Sequence, residues 1–401
     1  MGHLRLTTAG ESHGPAEVCI LTGIPAGLLI SSEQVEADLS RRQQGYGRGG
    51  RMAIESDRAR FLAGVRLGCT LGTPICISVE NKDHGNWLRV MSPEGHGQDG
   101  GPPITVPRPG HADLSGLAKY GFTDVRDVLE RASARETVAR VASGAICKAL
   151  LRQVGATIRG RVVSLGSVST ALADFARPES IDWDSVERSP VACHDAEASE
   201  RMCEEIDRAR EEGESLGGVF EVWCWGVCPG VGGYASIDDR LDGRLMGALG
   251  SIPAIKGVEI GEAFANARLS GSLVHDPMRT ESGDTGDYVV RTGNRSAGLE
   301  GGMTNGMPLV IRAAMKPIPT LTASLPSVDL ATMTDVRAHV ERSDICAVPA
   351  ARVVGEAMAA LILASAYLEK FGGDSVEDFA ASVRAYEEGL EARGLWRRSY
   401  S

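Results

Sequence analysis

The chain has 401 residues, 43% of them hydrophobic, and a formal net charge of -11. That is ample apolar material for a core and, on length alone, for two or three domains, while the acidic balance excludes a general nucleic-acid surface, which runs on an excess of Lys and Arg. Nine scattered cysteines, mostly among apolar neighbours, point to a reducing compartment, and Met1-Gly2-His3-Leu4-Arg5 runs straight into a Gly-rich motif without an apolar stretch of signal-peptide length, so a cytoplasmic protein with no membrane role is expected.

Glu17 to Leu21 and Gly27 to Ile30 read as strands, and Ser31 with Gln34 has the spacing of a capping box that opens a helix ending in Arg41 and Arg42. Gly45 to Gly50 formally matches the G-x-G-x-x-G dinucleotide fingerprint, but the residues before it are helical rather than strand-like, which favours a mobile arginine-bearing loop. The segment from Arg41 to Arg51 holds four arginines (Arg41, Arg42, Arg48, Arg51) and no acid, a composition that attracts anions. Phe61 to Leu67 and Thr73 to Val79 are expected to pair. Lys82 to Gly110 is a Gly- and Pro-rich loop of a length that is uncommon unless functional or disordered.

Ser133 to Glu136 forms a second capping-box pattern, predicting a helix from Ala134 to about Gln153 whose N-terminus, with Arg131 and Arg135, favours an anion. Thr157 to Leu165 and Val219 to Val227 read as strands around an acidic, solvated helical excursion from Asp174 to Glu214. Cys224 and Cys228, evenly spaced on a strand, lack the further ligands a zinc site needs and are assigned to the core. Gly298 to Gly306 precedes a strand at Pro308 to Met315, a pattern suited to backbone lying against a ligand. The apolar run Ala357 to Leu368, too short for a bilayer, lies in a long buried helix from Val348 to Phe371, and the charged tail from Asp374 is read as peripheral.

Two histidines sit in small-residue loops beside arginine or acid: Gly10-Glu11-Ser12-His13-Gly14 and Arg108-Pro109-Gly110-His111-Ala112-Asp113. Imidazole titrates nearest neutrality, and guanidinium binds phosphate and carboxylate with a fixed fork, so the pair reads as proton transfer on an anionic substrate. Ser12 beside His13 does not make a hydrolase, since adjacent side chains rarely face each other and no G-x-S-x-G elbow is present. His84 and the remaining histidines are read as structural.

GESHG (Gly10 to Gly14), GYGRGGRM (Gly45 to Met52), RPGHAD (Arg108 to Asp113), ERASARET (Glu130 to Thr137), AIKGVEIG (Ala254 to Gly261), GGMTNG (Gly301 to Gly306), KPIPT (Lys316 to Thr320) and RSDICAVPA (Arg342 to Ala350) together resemble the chorismate synthase family, in its order, over roughly residues 5 to 373. The resemblance implies an α+β fold, a compact β-α-β sandwich with central helices between β layers, formed as a single domain with a charged helical tail at about 374–401 and assembled as a homotetramer. It implies a lyase that eliminates phosphate from 5-enolpyruvylshikimate 3-phosphate to give chorismate and needs reduced FMN, with NADPH at most a source of electrons and an external flavin reductase as partner.

By motif matching, His13, His111 and Asp344 are expected to be catalytic, with Ser12, Arg42, Arg48, Arg135 and Arg342 on the substrate. Arg131, Ala132, Ser133, Pro253, Ala254, Gly302, Lys316, Pro317, Ile318, Pro319, Thr320 and Arg342 are expected at the cofactor; Pro319 stands where the family usually has a hydroxyl residue. No metal is expected. The competing readings are a dinucleotide-dependent oxidoreductase using Gly45 to Gly50, and a non-catalytic flavin- or phosphate-binding protein.

Overall fold

The computed structural model describes residues 4–49, 57–95, 100–283, 286–338 and 344–398. One sheet has the order β1 (Arg5–Ala9), β2 (Ala16–Thr22), β4 (Ile75–Glu80), β3 (Ala59–Ala63), every pair antiparallel. Its alternating burial, with Cys19, Leu21, Ile75, Ile77 and Val79 turned inward, is the period-2 pattern of a sheet with one covered face. The second sheet runs β8 (Ile255–Ile260), β9 (Leu309–Met315), β7 (Gly218–Trp225), β5 (Thr157–Leu165), β6 (Val168–Ser169), again antiparallel throughout, with Gly160 opposite Val222 and Val222 opposite Ile311.

Between the sheets lie α1 (Ser32–Gln43), α4 (Thr137–Arg152) and α8 (Val348–Phe371), so the fold is the expected α+β sandwich. The helices approach closely because small residues meet at their crossing: a methyl on Gly144 of α4 would overlap Ala357 of α8, and one on Gly355 would press into Phe220 of β7. α8 is long and apolar enough to cross a membrane by length and composition, but its apolar surface is turned into the core, with Val353, Ala359, Leu363 and Tyr367 fully buried. Further helices include α2 (Asp113–Tyr120), α3 (Arg126–Ala132), α5 (Trp183–Arg188), α6 (Ala196–Glu212), α7 (Leu241–Gly250) and α9 (Val376–Ala392).

Several expectations are corrected. Gly27 to Ile30 forms no strand; it is held by isolated bridges, Leu29 to Cys69 and, from Ala26, to Ser375. The helix expected from Ala134 begins at Thr137 after a 3-10 turn, and only half the capping box forms: Ser133 accepts the Arg135 N–H, while Glu136 pairs with Arg140 at 2.7 Å. Cys228 lies beyond the end of β7, though both it and Cys224 are buried. The tail is docked rather than peripheral: α9 buries Phe379, Val383 and Leu390, and Arg398 donates to the carbonyls of Val154 and Gly226. The Gly45 to Gly49 loop is pinned, since the Gly47 carbonyl accepts the Ile345 N–H at 2.8 Å and a methyl on Gly47, at φ 85°, would strike Ile206. That loop follows a helix, so the dinucleotide fingerprint lacks its strand.

A charged hub ties the layers together. Glu356 of α8, fully buried, accepts Arg41 through both oxygens, Lys148 of α4 and the Gly160 N–H of β5; Arg41 and Arg352 then bind Glu187. Burial pushes the Glu187 carboxyl up, but the hydrogen bonds from Arg41 and Arg352 outweigh it and hold it down at about 2; Glu356, against burial, is held lower still by Arg41 and Lys148. A carboxyl depressed by folding lends stability above its unfolded value, near 4.5, and loses it as pH falls through the folded one. Circular dichroism on acidification is therefore expected to show stability declining from about pH 4.5 toward pH 2; a denaturant midpoint flat across that range would contradict the hub.

Candidate active site

Each histidine of interest sits on a buried carboxylate. His13, in the turn between β1 and β2, places Nδ1 2.9 and 3.0 Å from the two oxygens of Glu130 and donates its backbone N–H to the same group at 2.9 Å. Glu130 is the last-turn acid of α3, 3% exposed, and also takes Arg126 Nη1 at 2.9 Å. Burial favours its neutral form, yet the hydrogen bonds and charge of His13, with Arg126, keep its pKa below the ordinary value. Trp87 stacks on the imidazole at 3.9 Å between centroids, and the Arg126 guanidinium lies over the Trp87 ring at 5.1 Å. Asn81 donates to the Ser12 and Gly14 carbonyls, and His84 Nδ1 lies 2.9 Å from the His13 carbonyl oxygen. The imidazole is thus fixed from several sides at once.

His111 shows the same arrangement. Its Nδ1 is hydrogen-bonded to Asp113, the first residue of α2, and Asp113 is fully buried and gripped by Arg108 through Nε at 2.9 Å and the backbone N–H at 3.0 Å. Burial would raise that carboxyl, but His111 and Arg108 together hold it well below the usual range. α2 and α3 pack on each other through Gly116 and Val128, so one helical pair carries both anchoring acids. In each ring Nδ1 is held by the carboxylate, which fixes the orientation of the imidazole.

The arginines divide. Arg42 turns to the start of α4, donating to Thr137 Oγ1 at 2.9 Å and the Ala134 carbonyl at 3.1 Å, and shares Asp57 with Arg135, at 3.5 and 3.2 Å respectively. Arg48 pairs with Asp344 at 2.7 Å, and Asp344 also accepts the Gly49 N–H. Burial, with the charges of Arg48 and Arg135, pulls the Arg42 pKa down to about 10 despite Asp57, and its Nη1 has no hydrogen-bond partner among the described residues. Arg42, Arg48 and Arg135 thus gather with Asp57 and Asp344 in a cluster of guanidiniums of the kind that binds anions. Arg41, one residue from Arg42, reaches instead into the Glu356 hub, so the acid-free stretch of sequence is balanced in space by Glu356, Glu187 and Asp38. Arg51 and Arg342 lie outside the described residues.

Ser12 and Ser133 join these parts: Ser133 Oγ donates to Ser12 Oγ at 3.2 Å, and the Ser12 N–H to the Glu130 carbonyl at 2.9 Å. Arg131 directs its guanidinium to the Thr8 and Gly10 carbonyls beside β1. Next to His111, the Gly110 carbonyl accepts Lys316 Nζ at 2.7 Å, and Pro109, Gly110, Lys316, Pro317, Ile318 and Pro319 line a cavity of about 300 Å³. Pro253 precedes Ala254, whose φ of 68° is unusual for a residue with a side chain; its carbonyl takes the Lys316 N–H at 2.9 Å. Thr320 is buried, and Ala132 closes α3. The Gly302 carbonyl accepts the Leu241 N–H at the head of α7 at 2.9 Å.

Glu130, Asp113, Trp87, Arg126, Asn81 and Asp57 were not singled out from sequence. Glu130 and Asp113 lay inside the quoted motifs and were recoverable as acids able to orient an imidazole; Asn81 and Trp87, which cap the two ends of a short 3-10 helix at Lys82–Asn86, carried no signal. His84, read as structural, is one of the braces of His13.

An α+β sandwich bearing carboxylate-held imidazoles beside a guanidinium nest is the equipment of an enzyme that handles protons on an anionic ligand. The chorismate synthase family matches residues 4–368. Curated chorismate synthases of Desulforudis audaxviator and Rubrobacter xylanophilus are each 54% identical over 389 residues, covering 97% and 96% of this chain and 98% of their own length. A crystal structure titled as that of chorismate synthase superposes with a TM-score of 0.79 at 41% identity, over 98% of this chain and 99% of its own. The chain belongs to the chorismate synthase family, a family of lyases.

Proposed function

We propose that the protein eliminates phosphate from 5-enolpyruvylshikimate 3-phosphate in an anti-1,4 sense to give chorismate, in the shikimate route to aromatic amino acids, with reduced FMN as cofactor. The observation that carries the reading is the pairing of His13 with buried Glu130 next to the Arg42, Arg48 and Arg135 cluster, in a chain of this family.

The residues fit a flat, phosphorylated ring. Pro317, Ile318 and Pro319 give the cavity beside His111 apolar walls, and Lys316 sets a cation at its edge. We assign FMN to Lys316 to Thr320, Pro253, Ala254, Arg131, Ala132, Ser133, Gly302 and Arg342. When bound, a reduced flavin supplies electron density that eases loss of an allylic phosphate. In this reading Arg42, Arg48 and Arg135, with Ser12 and Arg342, bind the substrate carboxylates and phosphate. His13 delivers a proton from Nε2 to the leaving phosphate while Glu130 steadies the ring through Nδ1. His111, held by Asp113, keeps the proton balance at the cofactor side, and Asp344 assists proton transfer there.

Electrons for the flavin come from an external reductase, with NADPH upstream of it. The protein works in the cytoplasm as a homotetramer, for which the exposed Phe264, Leu273 and Met278 supply apolar surface. Supplying substrate with photoreduced FMN under argon is expected to give phosphate and the diene absorbance of product together. Equal rates with oxidised FMN, or with no flavin, would overturn the assignment.

A further inference from the structure

The far end of α4 carries a second cationic feature, about 24 Å along the helix from the candidate site at its N-terminus. There a cavity of about 150 Å³ is lined by Lys148, Arg152, Ala156, Thr157, Ile158 and Arg159. It opens on the free edge of β5, because β6 pairs only with Ser164 and Leu165 at the other end of that strand. Along this edge the Gly160 N–H donates to the Glu356 carboxylate at 2.8 Å and the Val162 N–H to the Ala192 carbonyl at 2.9 Å. In an antiparallel strand donors alternate between edges, so the Ile158 N–H, two residues earlier, leaves the strand on the same edge, and Ile158 is among the residues that line the cavity.

One rung along, Glu356 displays what this edge binds: a carboxylate held by a strand N–H and by Lys148 Nζ. At Ile158 the strand N–H repeats, with no carboxylate bonded to it among the described residues. Lys148 is balanced by Asp38 and Glu356, but Arg152 and Arg159 have no acidic partner among the described residues. The negative end of α4 does not cancel them, since the carbonyls of Leu150, Leu151 and Arg152 are taken by the N–H groups of Gln153, Val154, Ala156 and Gly155.

We propose that this strand-edge cavity is a second oxyanion site, separate from the candidate active site, that takes a free tetrahedral anion of the size of inorganic phosphate. The Ile158 N–H and Lys148 form its floor and Arg152 and Arg159 its charged rim. Neither arginine belongs to the catalytic arrangement, and Arg152 is exposed, so their removal leaves the fold intact.

The test is calorimetric titration of the full chain with inorganic phosphate in an Arg48→Ala background, which weakens the guanidinium nest near His13. One phosphate is expected to bind per chain in that background. Adding Arg152→Ala and Arg159→Ala is expected to weaken it by about tenfold or more, with an unchanged thermal midpoint. Phosphate binding that is unmoved by the two added substitutions, or absent from the Arg48→Ala background, would overturn the site.

Discussion

His13→Ala is expected to lower turnover by about 10² to 10⁴ while leaving substrate and flavin affinity nearly unchanged, because a positioned acid acts in the transition state more than in the ground state. The ring is held in a single orientation, with Nδ1 on Glu130, Trp87 over one face, and four backbone atoms of its loop tied to Glu130 and Asn81. Single-turnover phosphate release with equilibrium binding in parallel checks this. A native rate in the variant removes His13 from the chemistry; weakened binding with an unchanged maximal rate makes it a binding residue only.

Glu356→Ala is the substitution expected to cost most stability. It strips the common partner from Arg41, Lys148 and Arg352 inside the sandwich, and an uncompensated buried charge typically costs about 3–5 kcal/mol, a large part of the about 5–15 kcal/mol that holds an ordinary domain together. The urea midpoint should fall by the equivalent amount at constant slope. A shift worth less than about 1 kcal/mol would mean that water reaches the hub and satisfies the cations. Since Arg41 adjoins Arg42, this variant also tests whether α1 alone fixes the Arg42 geometry.

The helices were legible because their signals are local. The Ser31–Gln34 box forms as read, with both of its hydrogen bonds present, and α8 begins and ends where its apolar, alanine-rich pattern does. β2, β5 and β9 were legible for the same reason. Gly27 to Ile30 was misread because apolar residues with strand character do not specify a partner: the segment meets only the short stretch Gly68 to Thr70, through a few backbone hydrogen bonds and one isolated bridge. The tail was misjudged on charge, although Phe379, Val383 and Leu390 fall at helical spacing on one side of α9.

At the site, residue types were readable and partners were not. His13 and Glu130 are 117 residues apart, and only the packing of α3 on the β1–β2 turn brings them together. The arginine stretch failed as a unit for a geometric reason: neighbours on a helix point about 100° apart, so Arg41 and Arg42 serve different sides of α1 and reach different partners. Counting charges along the chain could not reveal that Asp57, Glu187, Asp344 and Glu356 close around them.

The central claim, that a guanidinium-lined pocket with anchored imidazoles performs an elimination without net redox change, is tested most directly by flavin accounting. Under argon, with a limiting amount of photoreduced FMN and excess 5-enolpyruvylshikimate 3-phosphate, many molecules of phosphate are expected per flavin, with the flavin still reduced when substrate is exhausted. One flavin oxidised for each product formed would contradict it.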